Sequence, residues 1–144
     1  MRKAAENSIR AEFPARSVNE GLARGLLSAF VSQMDPTLEE LSELKTAVSE
    51  AVTNAIVHGY RNGQGSVYIS VAQGANRTVR ITVRDKGCGI EDIEAARRPL
   101  YTSDTTGERG GMGFSIMESF SDKLSVKSRP GRGTTVTMIR KLKK

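Results

Sequence analysis

The sequence predicts an α+β fold, a two-layer α/β sandwich with helices on one face of a mixed, mainly antiparallel sheet. Three observations lead there. Between residues 17 and 59 apolar side chains recur at helical spacing. From residue 67 onward they alternate with polar ones, the period of a strand with one buried face. The alternating runs are joined by short glycine-bearing turns, so most of the strands pair as hairpins. Grouped helices and hairpin-paired strands bury their apolar faces best as two packed layers.

Ser8 to Phe13 alternate weakly and read as an edge strand. Ser17-Val18-Asn19-Glu20 has the form of a capping box, which predicts a helix start there, with Leu22, Leu26, Ala29, Phe30 and Gln33 along one face. Asp35-Pro36 ends it, because a residue before proline is pushed out of the helical region. A second box, Thr37-Leu38-Glu39-Glu40, opens a helix that carries Leu41, Leu44, Val48, Ala51, Val52 and Ala55 on one face and ends near Gly59. Val67, Ile69 and Val71, then Val79, Ile81 and Val83, mark two strands around a turn at Gly74-Ala75-Asn76. Residues 90–98 suit a short helix, and 99–113, rich in Gly, Thr and Ser, suit a mobile loop. Phe114, Met117 and Phe120 mark a further helix face. Leu124 and Val126, with Val136 and Met138, give two more strands around Pro130-Gly131-Arg132-Gly133.

At 144 residues the chain is the size of one domain, 1–144, with no repeat or linker. Charged residues make up 26% and the hydrophobic set 38%, ordinary for a folded protein and unlike a disordered one. No apolar run approaches the roughly 20 residues of a membrane span, and the N-terminus lacks the apolar segment of a signal peptide. No membrane association and a cytoplasmic location are expected. The single cysteine, Cys88, has no thiol companion for a disulfide or a zinc site, and reads as a turn spacer or a redox group. The net charge of +6 suits nucleic acid or an acidic protein. Outside the C-terminal Arg140, Lys141, Lys143 and Lys144 the basic residues are scattered, with no interleaved aromatics for base stacking, so direct nucleic-acid binding is not expected.

Three segments carry candidate chemistry. If Val79, Ile81 and Val83 point inward, so does Asp85, and a buried carboxylate is costly without a partner. Asp85-Lys86-Gly87-Cys88-Gly89 is either an ordinary Asp-Gly turn or a place where a ligand approaches backbone while the carboxylate accepts from the exocyclic amine of adenine. Arg109-Gly110-Gly111-Met112-Gly113 would expose helix N-terminal amides to a phosphate. Neither the Walker spacing nor the dinucleotide fingerprint is present. Arg109 either reaches a terminal phosphate or is a solvated charge. In SEAVTNAIVHGY, Glu50 and Asn54 lie one turn apart on a single stripe that His58 continues. That stripe is either solvent-facing, or Asn54 offers magnesium an oxygen while Glu50 serves as general base.

Glu50-x-x-x-Asn54, Asp85-x-Gly87-x-Gly89, Gly111-x-Gly113 and Gly133-Thr134-Thr135, in that order, resemble the superfamily containing DNA gyrase, the 90-kDa heat-shock chaperones, histidine kinases and the mismatch-repair ATPases. This resemblance implies the Bergerat-type ATP-binding fold: Asp85 on adenine, Thr134 supporting it through water, Asn54 on magnesium, and residues 90–113 as a flexible lid over the phosphates. SEAVTNAIVHGY, VRDKGCGI, ERGGMGFSIMESFSD and GRGTTV are similar, more narrowly, to the anti-sigma factors that hold the first forespore sigma factor of sporulating Gram-positive bacteria. That family sequesters a sigma factor and, with ATP and Mg2+, phosphorylates a serine of an anti-anti-sigma protein. The resemblance implies Glu50 as catalytic base and Asn54, Asp85, Gly87, Gly89, Thr105, Arg109, Gly111, Met112, Gly113 and Thr134 as nucleotide contacts. It also implies Glu20 and Arg24 as partner contacts, and a homodimer.

A histidine-kinase domain would need a phospho-accepting helix upstream, and the one histidine, His58, lies inside the nucleotide helix. A gyrase-like ATPase would need a transducer domain. The general-stress anti-sigma kinase differs only in its partners, and a module using ATP as a structural ligand would not need Glu50.

Overall fold

The computed structural model describes residues 6–98 and 113–143. Strands β1 (Asn7–Pro14), β2 (Ser66–Gly74), β3 (Thr78–Asp85), β4 (Lys123–Arg129) and β5 (Gly133–Lys141) form one sheet in the order β1-β2-β3-β5-β4. Every pairing is antiparallel, so the sheet is more uniform than the mixed one expected. Helices α1 (Asn19–Ser32), α2 (Leu38–Thr53), α3 (Ile93–Arg97) and α4 (Gly113–Ser119) complete the described architecture. The period-2 reading holds: Val67, Ile69 and Val71 of β2 and Val79, Ile81 and Val83 of β3 are each no more than 2% exposed. They share one core with Leu27 and Phe30 of α1, Leu44, Val48 and Val52 of α2, and Met117 of α4.

The two capping boxes part ways. Thr37 Oγ1 accepts from the Glu40 N–H at 3.0 Å and Glu40 Oε1 accepts from the Thr37 N–H at 2.9 Å, the full reciprocal box. The other oxygen of Glu40 accepts from the Lys143 N–H at 2.8 Å, so the buried carboxylate also ties the chain end beyond β5 to the start of α2. At α1 the expected box does not form. Val18 occupies the N-cap with no side-chain cap bond, and the Glu20 carboxylate instead accepts from the Ser49 hydroxyl on α2.

The buried stripe of α1 is also displaced from the expected one. Ala23, Leu27, Phe30 and Val31 face the core, while Leu22 is 56% exposed. The helix is apolar over more than one face, and packing against α2 selects among them. The stripe of α2 agrees with expectation, although the last turn does not stay α-helical: Asn54–Gly59 is a π-helical turn, closed by the Tyr60 N–H on the Ala55 carbonyl at 2.9 Å. The helix expected over 90–98 is confined to α3. The expected loop, and with it Thr105, Arg109, Gly111 and Met112, lies outside the described residues except for Gly113.

Candidate active site

Asp85 is the last residue of β3 and pairs across the sheet with Thr134 of β5. Both are buried, at 6% and 8% exposure, as the alternation of β3 requires. The Asp85 carboxylate accepts from the Gly87 N–H at 2.9 Å and from the backbone N–H of Thr134. Burial pushes its carboxyl above the ordinary range, and the two N–H groups only partly offset this. Above it opens a cavity of about 330 Å³, within the range of small-molecule sites. Val83, Phe114 and Val136 give it apolar walls, and Asn54, Asp85 and Thr134 give it polar groups.

The π turn sets the other polar residues. It carries Asn54 at its start and His58 near its end, and both line the cavity. Such turns recur at functional sites because the extra residue re-aims side chains that an α-helix would have carried past. Glu50 stands one turn earlier, at the Gly113 end of the cavity. A Cβ built on Gly113 would lie 3.3 Å from Glu50 Oε2 and 3.1 Å from Asn54 Nδ2. The carboxylate, the carboxamide and the start of α4 therefore converge. Among the described residues no cluster of three or more His, Cys, Asp or Glu is placed to hold a metal.

The glycines after Asp85 admit other backbone, and Gly89 also lines the cavity. A Cβ on Gly87 would stand 2.0 Å from the Gly59 carbonyl oxygen, and one on Gly89, at φ +77°, 2.1 Å from that of Arg129. They let other backbone in, docking the loop between the π turn and the β4–β5 turn. Bonds from the Cys88 N–H to the Gly59 carbonyl (2.8 Å) and from the Gly131 N–H to the Cys88 carbonyl (2.6 Å) secure it. Cys88 lines the cavity, and its thiol donates to the His58 carbonyl at 3.1 Å.

Two supporting residues escaped the sequence. The Tyr60 hydroxyl accepts from the Lys86 N–H at 2.7 Å and donates to the Ser66 carbonyl at 2.6 Å, anchoring the loop that begins at Asp85. The Ser128 hydroxyl accepts from the Ile90 N–H at 2.8 Å and lies 2.9 Å from the Gly133 carbonyl oxygen and 2.8 Å from Thr134 Oγ1. It couples Thr134 to the segment leaving the site. Nothing local marks Ser128, whose partner at Ile90 is 38 residues away. Glu20 and Arg24 lie outside the cavity on α1, 3.5 Å apart, and the Ser49 hydroxyl links them to the residue preceding Glu50.

Comparison with known proteins decides the family. The family described as "Histidine kinase-like ATPase domain" matches residues 13–140. The "Anti-sigma F factor" of Bacillus licheniformis is 52% identical over 140 residues, covering 96% of this chain and 95% of that protein. Its counterpart in Clostridium perfringens (strain SM101 / Type A) is 53% identical over 137 residues, covering 95% and 98%. The chain belongs to the anti-sigma F factor family. The structure of the RsbU and RsbW domains of Rv1364c from Mycobacterium tuberculosis superposes with a TM-score of 0.69 at 19% identity, covering 94% of this chain and 32% of that one, a likeness of fold. An anti-sigma F factor is thus built on an ATPase domain, the class to which its partly polar cavity is suited.

Proposed function

We propose that this anti-sigma F family member sequesters a sigma factor and, as an ATP-dependent protein-serine kinase, phosphorylates and so inactivates an anti-anti-sigma protein. The observation that carries the reading is one cavity lined by the buried acceptors Asp85 and Thr134 and by Asn54 and Gly113, with the Glu50 carboxylate against Gly113 at its margin. Asp85 and Thr134 suit the amino edge of adenine, Asp85 directly and Thr134 through water. Gly87 and Gly89 hold that loop in place, and Gly113 admits phosphate beside Asn54 and Glu50. Thr105, Arg109, Gly111 and Met112 complete the contacts in this reading. Asn54 would hold Mg2+, which, when bound, neutralises charge on the phosphate oxygens.

The transfer is written as an in-line displacement. Glu50 takes the proton of the partner's serine hydroxyl as that oxygen bonds to the γ-phosphorus, and the bond to the bridging oxygen breaks with its electron pair leaving on ADP. Glu20 and Arg24, partly exposed on α1, suit contact with the sigma factor and its antagonist. The reading includes a cytoplasmic homodimer, by resemblance to the family. A general-stress anti-sigma kinase would have the same site and other partners. The 52–53% identity to anti-sigma F factors favours the sporulation assignment.

The test is incubation with labelled ATP, Mg2+ and candidate anti-anti-sigma proteins, followed by mapping of the labelled residue. Phosphoserine on the partner is expected. Phosphohistidine, or release of free phosphate alone, would refute the reaction class.

A further inference from the structure

The opposite face of the sheet bears no helix in the described chain, and its charged outward positions are, Glu12 apart, all cationic. Arg80 and Arg84 of β3 and Lys123, Lys127 and Arg129 of β4 point there by strand alternation, and Lys86 joins them just beyond β3. Arg10 of β1 and Lys141 of β5 extend the patch. Glu12 is the one carboxylate at the outward positions of the five strands. None of these cations takes part in the ion pairs found among the described residues. The excess charge of +6, scattered along the sequence, is thus gathered by the fold onto one surface.

The register gives this surface a pattern. Arg84 and Lys127 flank Thr135, while Arg80 and Lys123 flank Ile139. Strand spacing and rise put the members of each pair about 10 Å apart and the two pairs about 13 Å apart. Between them runs a row of hydroxyls, Ser70, Thr82, Thr137 and Ser125. Arg84 and Lys86 are held over the Tyr68 ring, at 4.9 and 5.0 Å from its centre.

We infer that this face is a docking surface for the phosphate backbone of double-stranded nucleic acid, independent of the nucleotide cavity on the other side of the sheet. Cations interleaved with hydroxyls suit phosphate oxygens, which such side chains contact without reading sequence. An acidic protein fits less well, because protein interfaces are centred on packed aromatic or aliphatic anchors and are depleted in lysine. Here the one aromatic ring is covered by two cations. The same covering removes a platform for stacking bases, which separates the face from a single-strand binder.

The experiment is fluorescence anisotropy of a labelled duplex of about 20 base pairs, titrated with the full chain at several salt concentrations. If about four phosphates are engaged, affinity should fall roughly 150-fold between about 50 and about 200 mM salt. The double variant Arg84→Ala/Lys127→Ala should bind more weakly and lose only about 12-fold over that range, two contacts having gone. Lys45→Ala, a cation on α2, should leave binding unchanged, and circular dichroism of each variant verifies the fold. Salt-independent or undetectable binding would overturn the inference, as would equal effects of the β-face and Lys45 variants. Displacement of the duplex by polyglutamate at equal charge concentration would overturn it in favour of an acidic protein partner.

Discussion

Replacing Asp85 with Asn separates two things the carboxylate does. Its Oδ1 accepts from the Gly87 N–H at 2.9 Å, and an asparagine oxygen can keep that bond. The new amide has one acceptor oxygen for the Gly87 N–H, the Thr134 N–H and the amino group of adenine, and its NH2 sets a donor among these donors. Losing a hydrogen bond to a charged acceptor costs about 1.5–3 kcal/mol, which is roughly 10- to 150-fold in Kd for ATP. Stability should move the other way. Burial raises the folded pKa of Asp85 above its ordinary 3.8, against the opposing pull of the Gly87 and Thr134 N–H groups. The protonated form is therefore favoured by folding. The stability linked to this group is complete at low pH and is lost as pH rises through the folded pKa, so at neutral pH the buried carboxylate is a net cost. Without nucleotide, Asp85→Asn should melt above the native protein at neutral pH, and the gap should close in acid. Calorimetric titration with ATP and melting curves across pH check both halves. Unchanged ATP affinity would refute the adenine role, and a lower neutral-pH Tm with no recovery in acid would refute the electrostatic reasoning.

Glu50→Gln should bind ATP nearly as the native protein does while losing about 10²–10⁴ in phosphoryl transfer, the usual contribution of a positioned base; transfer of labelled phosphate to the partner measures it. Ser128→Ala strands the Ile90 N–H and loosens Thr134, so it should cost about 1–3 kcal/mol in denaturant melts and weaken ATP, whereas Ser128→Thr should recover both. Thr37→Ala removes half of the capping box and should cost about 0.5–2 kcal/mol. For its partner Glu40, burial tends to raise the pKa, but the Lys143 and Thr37 N–H groups outweigh it and hold the carboxyl below 4.5. Its stabilisation is therefore present above that value and is lost as pH falls through the folded pKa, which acid titration of Glu40→Gln against the native protein should show as convergence. Arg24→Ala should weaken capture of both protein partners in a pull-down and leave ATP affinity unchanged.

What could be read in advance, and what could not, follows the range of the interactions involved. Asp85 was legible because period 2 in β3 is a strictly local rule: inward Val79, Ile81 and Val83 carry the carboxylate inward with them. Thr37 was legible for the same reason, its partner being three residues away. Ser17 offers the same local pattern and fails, because the Glu20 carboxylate that should close the box is engaged by Ser49, 29 residues distant. The α1 stripe fails alike, since a helix bearing Leu22, Leu26 and Leu27 has two apolar faces and only the position of α2 decides which is buried. Ser128 and Tyr60 are generic polar residues until the fold brings Ile90, Thr134 and Lys86 to them. The basic face is the extreme case, because no two of its strands are informative alone and the register across β3, β5 and β4 creates the pattern. Local rules pointed to Glu50, Asn54 and Asp85, while Thr134 entered only through the family resemblance. The groups that hold those residues in place, and the surface on the far side of the sheet, exist only as consequences of pairing.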